Sequence, residues 1–348
     1  MPVRQQSPAG NLLATQSPRF VVRAWAVLSQ RRASATRAAA VVAGVALGAY
    51  IVERSLEIGD RSLLVLLNGL TAAGLYFLMA SGFTLVFGLV RVTNLAHGGL
   101  YLLGGYFALS LQRMTGNWFI AAGLGAVATA GLSTVLYVVL RRVHGDGLPE
   151  TMLTLGAAIV MADQALANWG GVPSDLEAPA VLRGSIDLPG SVLLYPKFRL
   201  SVVAMAVLAG LCLWLLLYRT RLGSTIRASV DDRDMVSILG IRVELVFCTV
   251  FAVAGALAGL AGAAGGTYLS LAQGEDNRIL LASLIVVIAG GLGSIGGAAV
   301  AAAVIGLVEA FAQTHHAIFS VLITFGTLIA ILALRPHGIF GSRQDDRA

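Results

Sequence analysis

Along this chain the polar positions interrupt the apolar ones, rather than alternate with them. Solid apolar runs of helix length occupy residues 62–80, 98–111, 118–140, 151–169, 198–218, 246–271, 279–287 with its continuation, 297–311 and 318–334. A hydrocarbon core about 30 Å thick demands roughly 17–25 apolar residues of each spanning helix. A membrane β-barrel would instead alternate over segments of about ten residues. Helices on a soluble core need a polar face, and these runs have none. The pattern predicts an all-α polytopic membrane protein.

The loops between the runs set the direction of each crossing, because Lys and Arg concentrate on the cytosolic side. Residues 1–38 hold six arginines and no acid, and read as a basic, disordered cytosolic tail. A short first span, 38–52, leads to 53–61, which has three acids and two arginines and reads as outside. A signal peptide fits less well, since Glu53, Arg54 and Ser55 follow where small residues would mark a cleavage site. Arg141 and Arg142 mark a cytosolic return, 170–197 forms an extracytoplasmic loop rich in Pro and Gly, and 219–244 returns to the cytosol with five arginines and four acids. The last crossing delivers Arg335 to the cytosol. About ten spans, with eight or nine also compatible, and both termini cytosolic satisfy these loops. The membrane body is then 39–341, followed by a short cytosolic tail, 342–348. Spans two to five begin outside and spans seven to ten begin inside, the arrangement of an inverted repeat with a solute path at its interface.

Composition sharpens this in three ways. Charged residues make up 12% of the 348, against about 25% in soluble domains, and the mean hydropathy is +0.82. The net charge of +6 is almost all arginine, with Lys197 the only lysine. It reads as topogenic, with no nucleic-acid motif beside it. Cys212 and Cys248 lie inside apolar runs and read as packing residues rather than as a disulfide or metal site. No cofactor or metal site is expected, nor any enzymatic activity of the chain itself. A P-loop needs G-K-[ST], and the single lysine follows Pro196. The motif Gly291-Leu-Gly-Ser-Ile-Gly296, with Glu309 eighteen residues on, imitates a dinucleotide fingerprint. Membrane-length runs on both sides of it leave no room for a soluble βαβ unit.

Candidate path residues are the polar groups inside apolar runs, which are costly in a bilayer, and the glycine clusters, which permit close packing or broken helices. The polar set is Asn68, Asn94, His97, Asp163, Gln164 and Glu309; the clusters are 98–105 and 290–297. Asn68, Asn94, His97, Gly98, Gly290, Gly291, Ser294 and Glu309 are the expected path. So few ionisable groups disfavour a proton relay. In 219–244, Ile226, Val230, Val236 and Leu239 give partial helical periodicity, with Ser224 or Thr225 as N-cap and Gly240 as stop. A short amphipathic helix placed to dock a partner and an ordinary solvated loop both fit.

The stretch from Asn68-Gly-Leu70 through Ser81-Gly-Phe-Thr-Leu-Val-Phe-Gly-Leu-Val-Arg-Val-Thr-Asn-Leu-Ala-His-Gly98 resembles the signature of the branched-chain amino acid ABC permeases of the LivH type. Residues 223–241, Gly290-Gly-Leu-Gly-Ser-Ile-Gly-Gly-Ala298, Glu309 and Arg335-Pro-His-Gly-Ile-Phe-Gly341 are similar to further family positions, with weaker matches at 154–156 and Gln164. The resemblance covers roughly 62–341. Two departures are Leu95, where members often have Phe, and Gly99, where they often have an acid.

What the resemblance implies is an importer subunit of the bacterial inner membrane. It would pair with a second homologous permease, two cytosolic ATP-binding subunits and an extracytoplasmic solute-binding protein. Gly223, Arg227, Asp231, Leu239 and Gly240 would form the ATPase-coupling loop. The implied solutes are Leu, Ile and Val; a urea or amide permease, and a stand-alone carrier or channel, are the alternative readings.

Overall fold

The computed structural model describes residues 60–90, 93–143, 147–187 and 194–341. The expected tails 1–38 and 342–348 and the expected first span, 38–52, lie outside the described residues. What is described is a helical bundle with one small hairpin. Its elements are α1 (Asp60–Val90), α2 (His97–Thr115), α3 (Trp118–Leu140) and α4 (Gly147–Trp169), then β1 (Ser185–Asp187) and β2 (Leu194–Pro196). There follow α5 (Lys197–Arg219), α6 (Arg221–Asp231), α7 (Arg233–Ile238), α8 (Val243–Tyr268), α9 (Glu275–Gly290), α10 (Ile295–His315) and α11 (Ser320–Leu334). Among the described residues six helices are long and apolar enough to cross a membrane: Leu63–Leu89, Trp118–Leu140, Lys197–Arg219, Val243–Tyr268, Ile295–His315 and Ala317–Leu334. The protein is thus an all-α polytopic membrane protein.

Local chemistry sets the helix ends. Asn117 caps α3, its side chain accepting from the amides of Phe119 (2.9 Å) and Ile120 (3.3 Å), which satisfies donors a helix start leaves open. Gly116 just before it takes the left-handed conformation (φ 67°) that closes α2. Helix α1 runs unbroken to Val90, past the Ala80 boundary that the sequence suggests. Its hydroxyls do not break it, because Ser81 donates to its own helix at Leu78 O (2.9 Å).

Two helix pairs form the heart of the bundle: α1 against α10, and α3 against α8. Both close on small residues. A side chain at Gly306 of α10 would meet the backbone of α1, 2.6 Å from Ala73 N and 2.7 Å from Gly69 O. Gly255 and Gly259 of α8 face Thr129 and Ser133 of α3 in the same way. In a bilayer such contacts replace the hydrophobic drive that lipid cannot supply. The outer faces of α3, α5 and α11 carry exposed Val127, Leu208, Leu211, Leu322, Phe325 and Ile329, as a lipid-facing surface should.

The two ends of the bundle differ. At one end the β-hairpin pairs Ile186 with Tyr195, and the preceding loop is tied down by reciprocal Ser174–Leu271 backbone bonds (2.9 and 2.8 Å). Gln112 of α2 also bonds both backbone groups of Glu177 there (2.7 and 3.1 Å). At the other end lie α6, α7 and the segment 335–341.

Candidate functional site

Helices α2 and α9 begin inside the bundle instead of at its ends. The first residue of α2, His97, bonds Met79 O of α1 at 3.1 Å, well along the interior of that helix. Its neighbour Gly98 abuts the first turn of α9, where an added side chain would lie 2.6 Å from Asp276 O. From this junction α2 runs to the hairpin end and α9 to the opposite one. At sixteen residues, α9 is about 24 Å long and falls short of a ~30 Å hydrocarbon core. A helix that starts inside a membrane needs its free amides satisfied by protein. Asn94 does this by accepting from Ala96 N (3.1 Å) through its side chain and from His97 N (3.2 Å) through its carbonyl. The bond to Met79 O makes Nε2 of His97 the donor, and its ring edge rests on Phe83 (centroids 5.9 Å, 73°). His97 Nδ1, Asn94 Nδ2, Thr84 Oγ1 and Tyr101 OH are buried with no partner among the described residues. Beside the junction, Met161 of α4 covers Gly99, one of the two positions that depart from the resembled family.

A second feature opens toward the hairpin end. A cavity of about 290 Å³ is lined from α1 (Asn68, Tyr76), α5 (Arg199), the end of α8 (Tyr268), α9 (Arg278) and α10 (Glu309). Glu309 accepts from the Tyr76 hydroxyl (2.7 Å) and from Gln313 Nε2 (2.9 Å). Arg199 donates to Asn68 Oδ1 (2.7 Å), and its guanidinium lies over the rings of Tyr268 (5.1 Å) and Tyr195 (5.8 Å). Arg278 pairs with Glu275 at 2.9 Å. Tyr195, outside the spans, anchors the hairpin to α1. It donates to Leu67 O (2.8 Å) and shares a 2.8 Å bond with Thr71. Burial raises its phenol pKa, which the Thr71 bond and Arg199 partly offset.

The third feature is an elbow at the opposite end. Helix α6 starts one turn earlier than Ser224 or Thr225 would place it. Thr220 is its N-cap, accepting from Gly223 N (3.1 Å). Asp232 caps α7 through Met235 N (2.9 Å), so one expected helix is in fact two, bent at that residue. Gly223 packs on the Leu216 and Leu217 carbonyls, and Ile226 and Ser229 are buried beside it. Arg227 lies over the Tyr218 ring at 5.1 Å. The tip is apolar and open: Ile238 is 78% exposed and Leu239 71%. Gly240 closes it at φ 81°. The side chain of Asp231 lies outside the described residues.

The expected path residues therefore separate into three places. Asn68 and Glu309 share the cavity; Asn94, His97 and Gly98 form the junction. Gly290, Gly291 and Ser294 sit at the elbow end, where they make backbone contacts. Ser294 caps α10 through Gly297 N (3.0 Å), and Gly290 O accepts from Phe340 N (3.0 Å). Sequence reasoning missed Arg199, Arg278, Tyr76 and Tyr268. Arg199 passed as topogenic beside Lys197. Arg278 heads an apolar run behind Glu275 and Asp276, a signal that was available.

Comparison with known proteins places this geometry. Residues 65–332 match the family described as branched-chain amino acid transport system / permease component. The chain is 30% identical to the high-affinity branched-chain amino acid transport system permease protein BraD of Pseudomonas aeruginosa, over 81% of this chain and 96% of that one. It is 26% identical to LivH of Salmonella typhimurium (80% and 96%) and 25% identical to a probable LivH of Methanocaldococcus jannaschii (82% and 94%). No solved structure matches. The chain belongs to the family of permease components of branched-chain amino acid transport systems.

Proposed function

We propose that this chain is the membrane-spanning permease subunit of an ATP-driven importer that passes leucine, isoleucine and valine across a bacterial inner membrane. The observation that carries the reading is the family match from α1 through α11, joined by relatives named for branched-chain amino acid transport. The hairpin end faces outward and the elbow inward, in keeping with the arginine-rich 219–244. A solute-binding protein docks on the hairpin side. Two ATP-binding subunits supply the energy and engage the elbow, where exposed Met235, Ile238 and Leu239 offer an apolar knob between polar flanks. A second homologous permease completes the membrane part.

The packing favours an inverted repeat of α1–α4 and α8–α11. Exchanging the units turns the α1–α10 contact into α8–α3 and keeps the α1–α8 and α2–α9 contacts. Helices α2 and α9 become equivalents whose starts meet at the junction. In such folds the solute path runs near that interface, which supports Asn94, His97 and Gly98 as its central part. ATP-driven movement of the elbow then switches the two units between outward- and inward-open arrangements.

The test is uptake by the complex purified through this chain and placed in proteoliposomes with its binding protein. ATP-dependent accumulation of labelled leucine is expected. Accumulation of urea but not leucine, or leucine uptake that needs an ion gradient and no ATP, refutes the reading.

A further inference from the structure

The cavity at the hairpin end has an arrangement of charge that the importer reading does not require. Arg278 is neutralised by Glu275. Arg199 and Glu309, by contrast, have no oppositely charged partner within 4.0 Å among the described residues. Each is held by neutral groups instead. An amide oxygen and two aromatic faces hold Arg199, and a phenol and a carboxamide hold Glu309. Arg199, Glu309 and Arg278 all line this cavity, so all three charges border one space. A cation and an anion kept apart across a partly buried cavity leave both desolvation penalties only partly relieved by those neutral groups. A ligand carrying the complementary charges would relieve both at once.

On the importer reading above, we infer that this cavity is a zwitterion-recognising subsite at the outer end of the path, taking the head group of a free α-amino acid. Arg199 receives the α-carboxylate, its planar guanidinium being suited to two parallel bonds. Glu309 receives the α-ammonium. Leu75, Leu269 and Ala310 in the same lining give the aliphatic side chain an apolar wall. At about 290 Å³ the cavity lies at the lower edge of the range for ligand pockets, about 300–1,000 Å³, and suits a small metabolite. Neutral solutes such as urea or a sugar bring no charges to match Arg199 and Glu309. The subsite thus adds a filter on charge pattern inside the membrane subunit.

The experiment measures direct binding to the purified full chain in lipid nanodiscs by saturation-transfer NMR. The probes are L-leucine, 4-methylpentanoate (carboxylate only) and 3-methylbutylamine (ammonium only). L-Leucine should bind more tightly than either half-ligand. Arg199→Gln should weaken leucine and 4-methylpentanoate about tenfold, the value of one lost charged hydrogen bond, and leave 3-methylbutylamine unchanged. Glu309→Gln should do the reverse, weakening leucine and 3-methylbutylamine only. Arg199→Lys, which keeps the charge, should recover part of the leucine affinity, and an unchanged thermal midpoint shows that each variant is folded. Equal loss for all three probes, or none, overturns the subsite. So does an effect of Arg199→Gln that appears only with the binding protein present, which would make Arg199 a docking residue. Wild-type proteoliposomes that take up no leucine with ATP defeat the importer reading itself. Wild-type uptake alongside variants with unaltered leucine binding defeats only the subsite.

Discussion

The cavity at the hairpin end and the surface of the elbow end handle charge in opposite ways. At the elbow end Arg141 and Glu244 pair at 3.2 Å with side chains 48% and 62% exposed. Nearby, Arg219 of α5 and Arg227 of α6 lie over the rings of Trp214 and Tyr218. At the hairpin end Arg199 and Glu309 are half-buried, are set among tyrosines, and leave each other unpaired. Solvated pairs contribute about 0–1 kcal/mol, so the elbow charges are inexpensive and their sign reports which way the chain faces. Charges withdrawn toward the membrane interior are expensive and persist where a solute must be handled. The same residue types therefore sit in two environments, solvated at the elbow and half-buried in the cavity.

This contrast depends on the middle of the bundle holding the ends apart, and the largest expected effect lies there. Gly306→Leu drives a side chain into the backbone of α1 at Ala73 and Gly69, where nothing can rotate away. Overpacking of this kind costs about 1–3 kcal/mol or more, and the yield of monodisperse protein in size-exclusion chromatography should collapse. An unchanged yield would mean that α1 and α10 do not meet as described. Next comes His97→Leu, which removes the bond to Met79 O and loosens the start of α2. A loss of about 1–3 kcal/mol should lower the thermal midpoint by several degrees. His97→Gln should recover part of that by restoring an N–H donor.

The elbow offers the sharper test of the contrast. Ile238→Glu with Leu239→Glu changes only exposed side chains, so the thermal midpoint should hold within about 0.5 kcal/mol of stability. ATP-dependent leucine uptake should nevertheless fall at least about tenfold, equivalent to ~1.4 kcal/mol of lost docking. Normal uptake would remove the elbow from coupling. The smallest effect is expected for Arg141→Ala, which breaks an exposed pair worth under about 1 kcal/mol; thermal melting and uptake should both stay near wild type. A marked loss there would erase the distinction between the two ends.

Much of this was legible beforehand because a bilayer reads sequence in a simple way. Length and apolarity select spanning helices one at a time, so the polytopic class needed no tertiary information. Capping was legible in kind but not in place. Thr220, not Ser224, starts α6, because the chain turns sharply after α5 and lays Gly223 against the Leu216 and Leu217 carbonyls. The continuation of α1 through Ser81 to Val90 was hidden by Ser81, which looks polar but bonds within its own helix.

What the sequence alone determined is the polytopic membrane class, a property of single apolar segments against a uniform solvent; the direction of the crossings is an expectation carried by the arginines. Only the tertiary structure decided that Asn68 and Glu309, 241 positions apart, face one cavity with Arg199 and Arg278, while Ser294 and Gly291 serve the far end. It also decided that α2 and α9 begin inside the bundle. Those facts follow from which helices touch. In a membrane that choice rests on close-packed small residues such as Gly69, Gly259 and Gly306, whose meaning appears only when the opposing backbone is in place.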